Sequence, residues 1–185
     1  MMSLAYMSIE FMAASVAALI LIFVLPAPYS YAQAVQLEGD RTLFRLVIPK
    51  IHVDAALESV GLTPAGAMGV PAGPADAAWF DLGPRPGESG SAVIAGHYGW
   101  KNGISAVFDH LNAMRRGDRI YIRDATGTTT FIVSGVRTYG EHDDASGVFV
   151  SSDGKAHLNL ITCGGIWNKA LKSYSYRLIV FTDKE

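Results

Sequence analysis

The stretch Leu158-Asn159-Leu160-Ile161-Thr162-Cys163-Gly164-Gly165 decides how this chain folds. Its first six residues are mostly apolar or β-branched, which favours a strand, and the glycine pair marks the end of that strand. Cys163 is the one cysteine among 185 residues. The N-terminus has features of an exported protein, in which cysteines are usually paired. A single thiol in such a chain is therefore either an inert core residue or a nucleophile.

Outward from this stretch, short strand candidates alternate with Gly, Pro, Asn and Asp, which is typical of a sandwich or barrel. We predict strands at 43–48, 91–95, 119–122, 128–133, 158–162 and 177–181, with a hairpin turn at 124–127. A helix is predicted over 106–114, because Val107, Leu111 and Met114 share one face. A second short helix is predicted near 74–79. The expected class is thus all-β with one or two short helices.

The first residues of the chain carry the export features. Residues 11–25 are almost entirely apolar, and counting from Met7 gives about 19 residues, near the length of about 20 that spans a bilayer. We predict a single-pass anchor with the folded domain outside the cytoplasm. Secretion after cleavage at Ala32-Gln33-Ala34 is the main alternative, although no Lys or Arg precedes Arg41. A buried core helix is the third reading. The predicted organisation is an anchor or signal segment at 1–28, a linker at 29–42 and one domain at 43–185.

Composition excludes one class of partner. The formal net charge is −2, and no basic run or basic-aromatic pattern indicates a nucleic-acid surface. The acidic residues Glu141, Asp143 and Asp144 fall in one segment, where a solvated turn is the favoured reading over a Ca²⁺ site. The sequence therefore indicates no metal and no cofactor.

A thiol nucleophile needs a base or a positive charge nearby, because only a few per cent of a free thiol of pKa about 8.5 is ionised at neutral pH. His157 lies six residues before Cys163 on the same predicted strand, roughly 20 Å away at about 3.3 Å per residue. His97 follows the small, apolar strand 91–96 and so projects from a rigid element. The remaining histidines, which we interpret as surface residues, are His52, His110 and His142. His97 is the favoured partner.

Arg177 is the candidate positive group. It starts the last predicted strand, fourteen residues after Cys163. If residues 164–176 connect two antiparallel strands, the end of one faces the start of the next, and Cys163 and Arg177 are neighbours. A guanidinium beside a reacting carbonyl stabilises the oxyanion that develops there and orients it through a fork of donors.

These residues resemble a known family. Leu160-Ile161-Thr162-Cys163 is similar to the L-x-T-C signature of the sortases, Ala95-Gly96-His97 is similar to their A-G-H, and Arg177 stands where their arginine stands. Further similarity lies at 48–51, 84–87 and 108–118. Thr162-Cys163-Gly164-Gly165 resembles class F sortases or the related classes D and E, although Leu178 directly follows the arginine where class F members often have Asp-Asn.

The resemblance implies a closed eight-stranded β-barrel and a cysteine transpeptidase. Such an enzyme cleaves a C-terminal LPxTG-like sorting signal of a secreted protein, holds it as a thioester, and passes it to a peptidoglycan-type amine. It implies Cys163 as nucleophile, His97 as the acid for the leaving amine and Arg177 as the oxyanion ligand. By the same resemblance, substrate-binding residues are Ala95, Ile161 and Thr162.

Two alternatives remain from the residues themselves. A chymotrypsin-like cysteine protease also has His before Cys, but it needs two barrels. A non-catalytic barrel that binds cell-wall peptides would not need a reactive thiol, so labelling of Cys163 at neutral pH separates it from an enzyme. An L,D-transpeptidase is disfavoured because its Ser-x-Gly-Cys-x-Arg pattern is missing from the sequence.

Overall fold

The computed structural model describes residues 44–140, 143–170 and 173–185. Within these ranges eight strands close into a barrel in the order β1-β2-β3-β4-β7-β8-β6-β5. The strands are β1 (Arg45–Ile48), β2 (Val53–Val60), β3 (Ala77–Phe80), β4 (Gly90–Gly96), β5 (Arg119–Asp124), β6 (Gly127–Gly140), β7 (Ala156–Asn168) and β8 (Ser173–Lys184). The short 3₁₀ helices are Pro49–Ile51, Lys101–Gly103, Leu111–Ala113 and Ser146–Val148. The predicted all-β, eight-stranded barrel is confirmed.

Most neighbouring strands are antiparallel, and two pairs are parallel. β2 runs parallel to β3, and β4 runs parallel to β7 with Ala95 opposite Ile161. The predicted hairpin turn is confirmed between β5 and β6, where the Asp124 carboxylate accepts hydrogen bonds from the amides of Thr126 and Gly127. Closure leaves this sheet without a free edge.

The two predicted helices are corrected. The segment near 74–79 contributes to β3, because Ala77, Ala78 and Trp79 are buried between β2 and β4 and pair with both. Residues 107–110 form a turn and only Leu111–Ala113 is a 3₁₀ helix. The amides that would bond four residues back in an α-helix bond three residues back instead, since Leu111 donates to the Phe108 carbonyl at 3.1 Å and Met114 to the Leu111 carbonyl at 3.2 Å.

Alternation along the strands sorts side chains between two apolar clusters. The inner cluster fills the barrel and includes Leu158 and Leu160 of β7. The outer cluster is centred on Val93, Val148 and Ile179, with Ile161 packed against it. Odd-numbered residues of β7 and β8 therefore face outward, and Cys163 and Arg177 follow this parity. The barrel thus presents both side chains on its outer surface.

The predicted anchor (1–28) and linker (29–42) lie outside the described residues, as does His142. Among the residues that the structure describes, no helix is long and apolar enough to cross a membrane.

Candidate active site

Cys163 lies within β7, directly opposite Arg177 of β8. The predicted adjacency of thiol and guanidinium is thus observed. The predicted connection at 164–176 is corrected, because β7 and β8 pair again beyond the site, with Trp167 opposite Tyr174, after an irregularity between Gly164 and Trp167. Both strands continue past Cys163 as an extended hairpin.

The glycine pair after Cys163 has a packing reason. A Cβ on Gly164 would lie 2.3 Å from Cε2 of Tyr176, well inside the roughly 3.5–4.0 Å of normal carbon contact. Gly165 has φ +84° and would bring a Cβ to 2.2 Å from Oγ of Ser175. Only glycine allows the neighbouring strand to cover the backbone this closely.

The thiol is free and partly buried. Burial raises the pKa of the Cys163 thiol above its ordinary value, and the positive charge of Arg177 offsets part of that rise. Arg177 itself is anchored by its hairpin, since Nη1 donates to the carbonyls of Tyr174 at 3.2 Å and Tyr176 at 3.3 Å. The thiol is therefore held mainly protonated at neutral pH beside a fixed positive charge.

His97 is the first residue after β4. Because β4 and β7 are parallel with Ala95 opposite Ile161, two further residues along each strand lead to His97 and Cys163. The imidazole Nε2 lies 2.9 Å from the carbonyl oxygen of Pro71, and the ring centroid is 4.6 Å from that of Trp100. The side chain is thus fixed from two sides.

Thr162 supports this arrangement from inside the barrel. Its side chain is 3% exposed, and its hydroxyl donates to the Gly96 carbonyl at 2.7 Å. This bond joins β7 to the residue immediately before His97. The Thr162 side chain thus has a hydrogen-bond partner inside the barrel. The side chains of Ala95 and Ile161 instead face outward, as alternate residues of β4 and β7 do. The substrate-binding role of these positions stays a prediction.

One cavity of about 730 Å³ brings the three predicted catalytic residues together. Its lining residues are His97, Tyr98, Gly99, Trp100, Lys101, Cys163, Trp167, Ser173, Tyr174 and Arg177. Sequence reasoning missed its aromatic wall, in which Tyr174 contacts Tyr98 and Trp167 edge-on at centroid distances of 5.5 and 5.0 Å. A usable signal was present, because aromatic residues follow both His97 and Cys163 within four positions.

The other described histidines lie outside this cavity. His157 is held by Asp183 at 2.9 Å and Asp153 at 3.0 Å. His52 is exposed in a left-handed conformation with φ 57°, and His110 is exposed. The cavity therefore contains one imidazole, that of His97.

A thiol, an imidazole and a guanidinium around one cavity define a cysteine-dependent acyl-transfer enzyme. The family model for the sortase domain matches residues 46–185, so the chain belongs to the sortase family. Members of this family are cysteine transpeptidases that act on sorting signals. A search of the curated proteins finds no match.

Solved structures share this fold. Sortase A from Corynebacterium diphtheriae, a lid mutant, is 22% identical with a TM-score of 0.62, over 86% of this chain and 82% of that one. Sortase C-1 from Actinomyces oris is 21% identical with a TM-score of 0.60, over 88% and 85%. Streptococcus agalactiae sortase C1 in complex with MTSET is 21% identical with a TM-score of 0.59, over 78% and 67%.

The chymotrypsin-like alternative is not supported. That fold requires two barrels, whereas the described residues from 44 onward form a single closed barrel. His97 and Cys163 also come from neighbouring parallel strands of that barrel, β4 and β7, rather than from two barrels facing each other.

Proposed function

We propose that this protein is a membrane-anchored, extracytoplasmic sortase of class F or its near relatives. It cleaves a C-terminal LPxTG-like signal of a secreted protein and transfers that protein to a peptidoglycan-type amine. The observation that carries the proposal is the cavity shared by Cys163, His97 and Arg177. The class rests on Thr162-Cys163-Gly164-Gly165, and the location rests on the apolar residues 11–25.

In the acylation half-reaction, Sγ of Cys163 attacks the threonine carbonyl carbon of the signal. The S–C bond forms as the thiol proton passes to His97, which matters because burial keeps the thiol protonated. The carbonyl oxygen becomes an oxyanion beside the guanidinium of Arg177. Collapse breaks the peptide C–N bond, and His97 returns the proton to the leaving amine. The products are a thioester and a free amine.

In the transfer half-reaction, the acceptor amine attacks the thioester carbonyl. His97 takes a proton from that amine as the new C–N bond forms. Arg177 again faces the oxyanion, and its collapse breaks the C–S bond. The sulfur leaves as a thiolate and recovers its proton from His97, so the enzyme returns to its starting state.

Strand direction separates the two sides of the reaction centre. Ala95 and Ile161 precede His97 and Cys163 on parallel strands, whereas the aromatic wall follows them. If the Leu-Pro part of the signal lies at Ala95 and Ile161, the leaving and incoming amines occupy the aromatic side. This places the proton-transferring imidazole beside the amines that need it.

The test is cleavage of a fluorogenic LPxTG-like peptide by the full chain, with and without an added amine acceptor. We expect the wild type to release the fluorophore and, with acceptor, to form a transfer product detectable by mass spectrometry. Cys163→Ala should abolish both while keeping the thermal melting curve. Cleavage by folded Cys163→Ala at the wild-type rate would refute the proposal.

A matched pair of histidine variants tests the role of His97. His97→Ala should lose about 10²–10⁴-fold in peptide acylation, and less with an activated thioester whose leaving group needs no proton. His157→Ala, which changes a histidine outside the cavity, should acylate normally. Equal losses with both substrates would assign His97 to ionising the thiol alone.

A further inference from the structure

The hydrogen bond of His97 fixes which ring nitrogen carries hydrogen. Nε2 lies 2.9 Å from the carbonyl oxygen of Pro71. A carbonyl oxygen only accepts, so Nε2 is the donor in both the neutral and the protonated ring. Nδ1 is then the nitrogen that gains and loses a proton.

The carbonyl that accepts this bond belongs to a peptide group held from its other side. In the Pro71–Ala72 peptide, the carbonyl faces His97, and the Ala72 amide donates to Oε2 of Glu58 at 3.0 Å. The described chain contains no cis peptide bond, so the C=O and N–H of this group point in opposite directions. A carboxylate, a peptide group and an imidazole thus form one chain of hydrogen bonds.

The segment that carries this peptide, residues 69–74, is fixed at both ends. At its start the Gly69 amide donates to the Gly61 carbonyl at 2.9 Å, and at its end the Pro74 carbonyl accepts from the Val107 amide at 2.8 Å. Pro71 is buried and its ring fixes φ. Glu58 itself projects from β2, a strand of the closed barrel. The position of the Pro71 carbonyl therefore depends on several contacts with the barrel, and the bond from the Ala72 amide to Glu58 is the one made by its own peptide group.

We propose that Glu58 is a positioning residue for the transpeptidation, acting on His97 through the Pro71–Ala72 peptide group. The Glu58 carboxylate polarises the peptide, which strengthens the bond from the carbonyl to Nε2–H, because hydrogen bonds in a chain reinforce one another. The imidazole is thereby held with Nε2 protonated and Nδ1 directed to proton exchange. This arrangement does through a peptide group what a carboxylate bonded directly to a catalytic histidine does in other enzymes.

The inference rests on the proposed function, since it assigns Nδ1 of His97 as the nitrogen that exchanges protons with the thiol and the two amines. The effect of Glu58 on the His97 ring can nevertheless be measured without turnover. The ring tautomer is a property of the protein without substrate, and it is read by spectroscopy.

The experiment uses three variants of the full chain. Glu58→Leu removes the acceptor, and Glu58→Gln keeps an acceptor oxygen without the charge. Glu88→Leu is the matched control, because Glu88 also accepts a loop amide, that of Arg85 at 3.0 Å, but in a loop other than the 69–74 segment that bonds to His97. Long-range ¹H–¹⁵N spectra report the His97 tautomer, assigned by its loss in His97→Gln. Peptide cleavage gives kcat and KM.

We expect wild type, Glu58→Gln and Glu88→Leu to show hydrogen on Nε2. Glu58→Leu should show a mixture of the two tautomers and a fall in kcat of about 10–100-fold, by analogy with the loss of the outer hydrogen-bond partner of a metal-bound histidine, with KM little changed. Glu58→Gln should keep most of kcat. If Glu58→Leu does not fold, Ala72→Pro deletes the same N–H from the other side and should give the same mixture.

Two results would overturn the inference. Hydrogen on Nδ1 in the wild type contradicts it directly, and a slower Glu58→Leu with an unchanged tautomer reduces Glu58 to a structural role. A wild type that has the Nε2–H tautomer, loses it in Glu58→Leu, yet cleaves no sorting peptide would instead refute the proposed function and leave the positioning effect established.

Discussion

Replacing Gly96 with alanine tests whether the barrel core sets the position of the His97 imidazole. Gly96 ends β4 and directly precedes His97. A Cβ there would lie 2.4 and 2.7 Å from ring carbons of Phe108 and 2.7 Å from Cγ1 of Val107. Phe108 is fully buried, and its amide donates to the His97 carbonyl at 3.1 Å. The added methyl group therefore pushes on the residue that holds His97.

The magnitude follows from these distances. Normal carbon contacts lie at about 3.5–4.0 Å, so Phe108 must retreat by roughly 1 Å in a closely packed core. Overpacking of this kind costs about 1–3 kcal/mol, and the lower unfolded-state entropy of alanine returns about 0.4–1 kcal/mol. The net loss of about 1–2 kcal/mol lowers the melting temperature by roughly 3–8 °C for a domain of this size. Peptide acylation should fall as well.

Thermal melting and single-turnover cleavage of a sorting peptide measure both effects. The control is Gly135→Ala in β6, where no atom lies within 4 Å of the added Cβ and stability should hold or rise. Combining Gly96→Ala with Phe108→Leu should give a loss smaller than the sum of the two single losses. A Gly96→Ala protein that melts and acylates like the wild type, or strictly additive losses, would show that the core does not position His97.

Three further predictions concern other contacts of the structure. Arg177→Lys should impair peptide cleavage nearly as much as Arg177→Ala, because lysine keeps the charge but not the fork of donors; recovery of most activity by lysine would leave Arg177 as a simple charge. Thr162→Val should cost about 1–3 kcal/mol in chemical unfolding by leaving the Gly96 carbonyl unsatisfied, with Thr162→Ser near wild type; equal stability of both would contradict it. For His157, burial lowers the pKa, but hydrogen bonds and charge from its two aspartate partners outweigh burial and raise it above 6.5. The stabilisation is therefore full below pH 6.5 and lost as the pH rises through the raised value, so His157→Gln should lower the melting temperature more at pH 5.5 than at pH 9, and an equal effect at both would refute the ion pair.

The sequence correctly predicts the strands that contain a clear run of buried apolar residues. β4 and β7 read as continuous apolar runs because both lie inside the closed sheet with the outer cluster packed on them. β3 is only four residues long and follows a segment rich in Pro and Gly. Its pairing with β2 and β4 comes from residues distant in the sequence. A local sequence pattern does not show such non-local pairing, and the sequence therefore predicts a helix at this strand.

In the site, too, contacts within one segment are predictable from the sequence and contacts between distant segments are not. Cys163 and Arg177 are adjacent because two consecutive antiparallel strands place them opposite each other. The sequence of this one segment is enough to predict that adjacency. The approach of His97 to Cys163 depends on a parallel pairing of β4 with β7, whose residues are 66 apart. The apolar strand before His97 is enough to favour this histidine as the partner of Cys163, but not to predict the parallel pairing that brings the two together. Glu58 had no sequence signal at all, since its link to His97 runs through a backbone carbonyl that any residue at position 71 would provide.

The three predicted catalytic groups are held by different kinds of contact, which predicts how they respond to substitutions. Cys163 and Arg177 are fixed by a local ladder between β7 and β8. His97 depends on the Gly96 carbonyl bond from Thr162, on Phe108 and on the segment 69–74. Substitutions outside the cavity should therefore alter proton transfer by His97 more readily than attack by Cys163. Variants at these supporting positions should lose activity with peptide substrates while still reacting with activated esters, a pattern that a merely unfolded protein cannot produce.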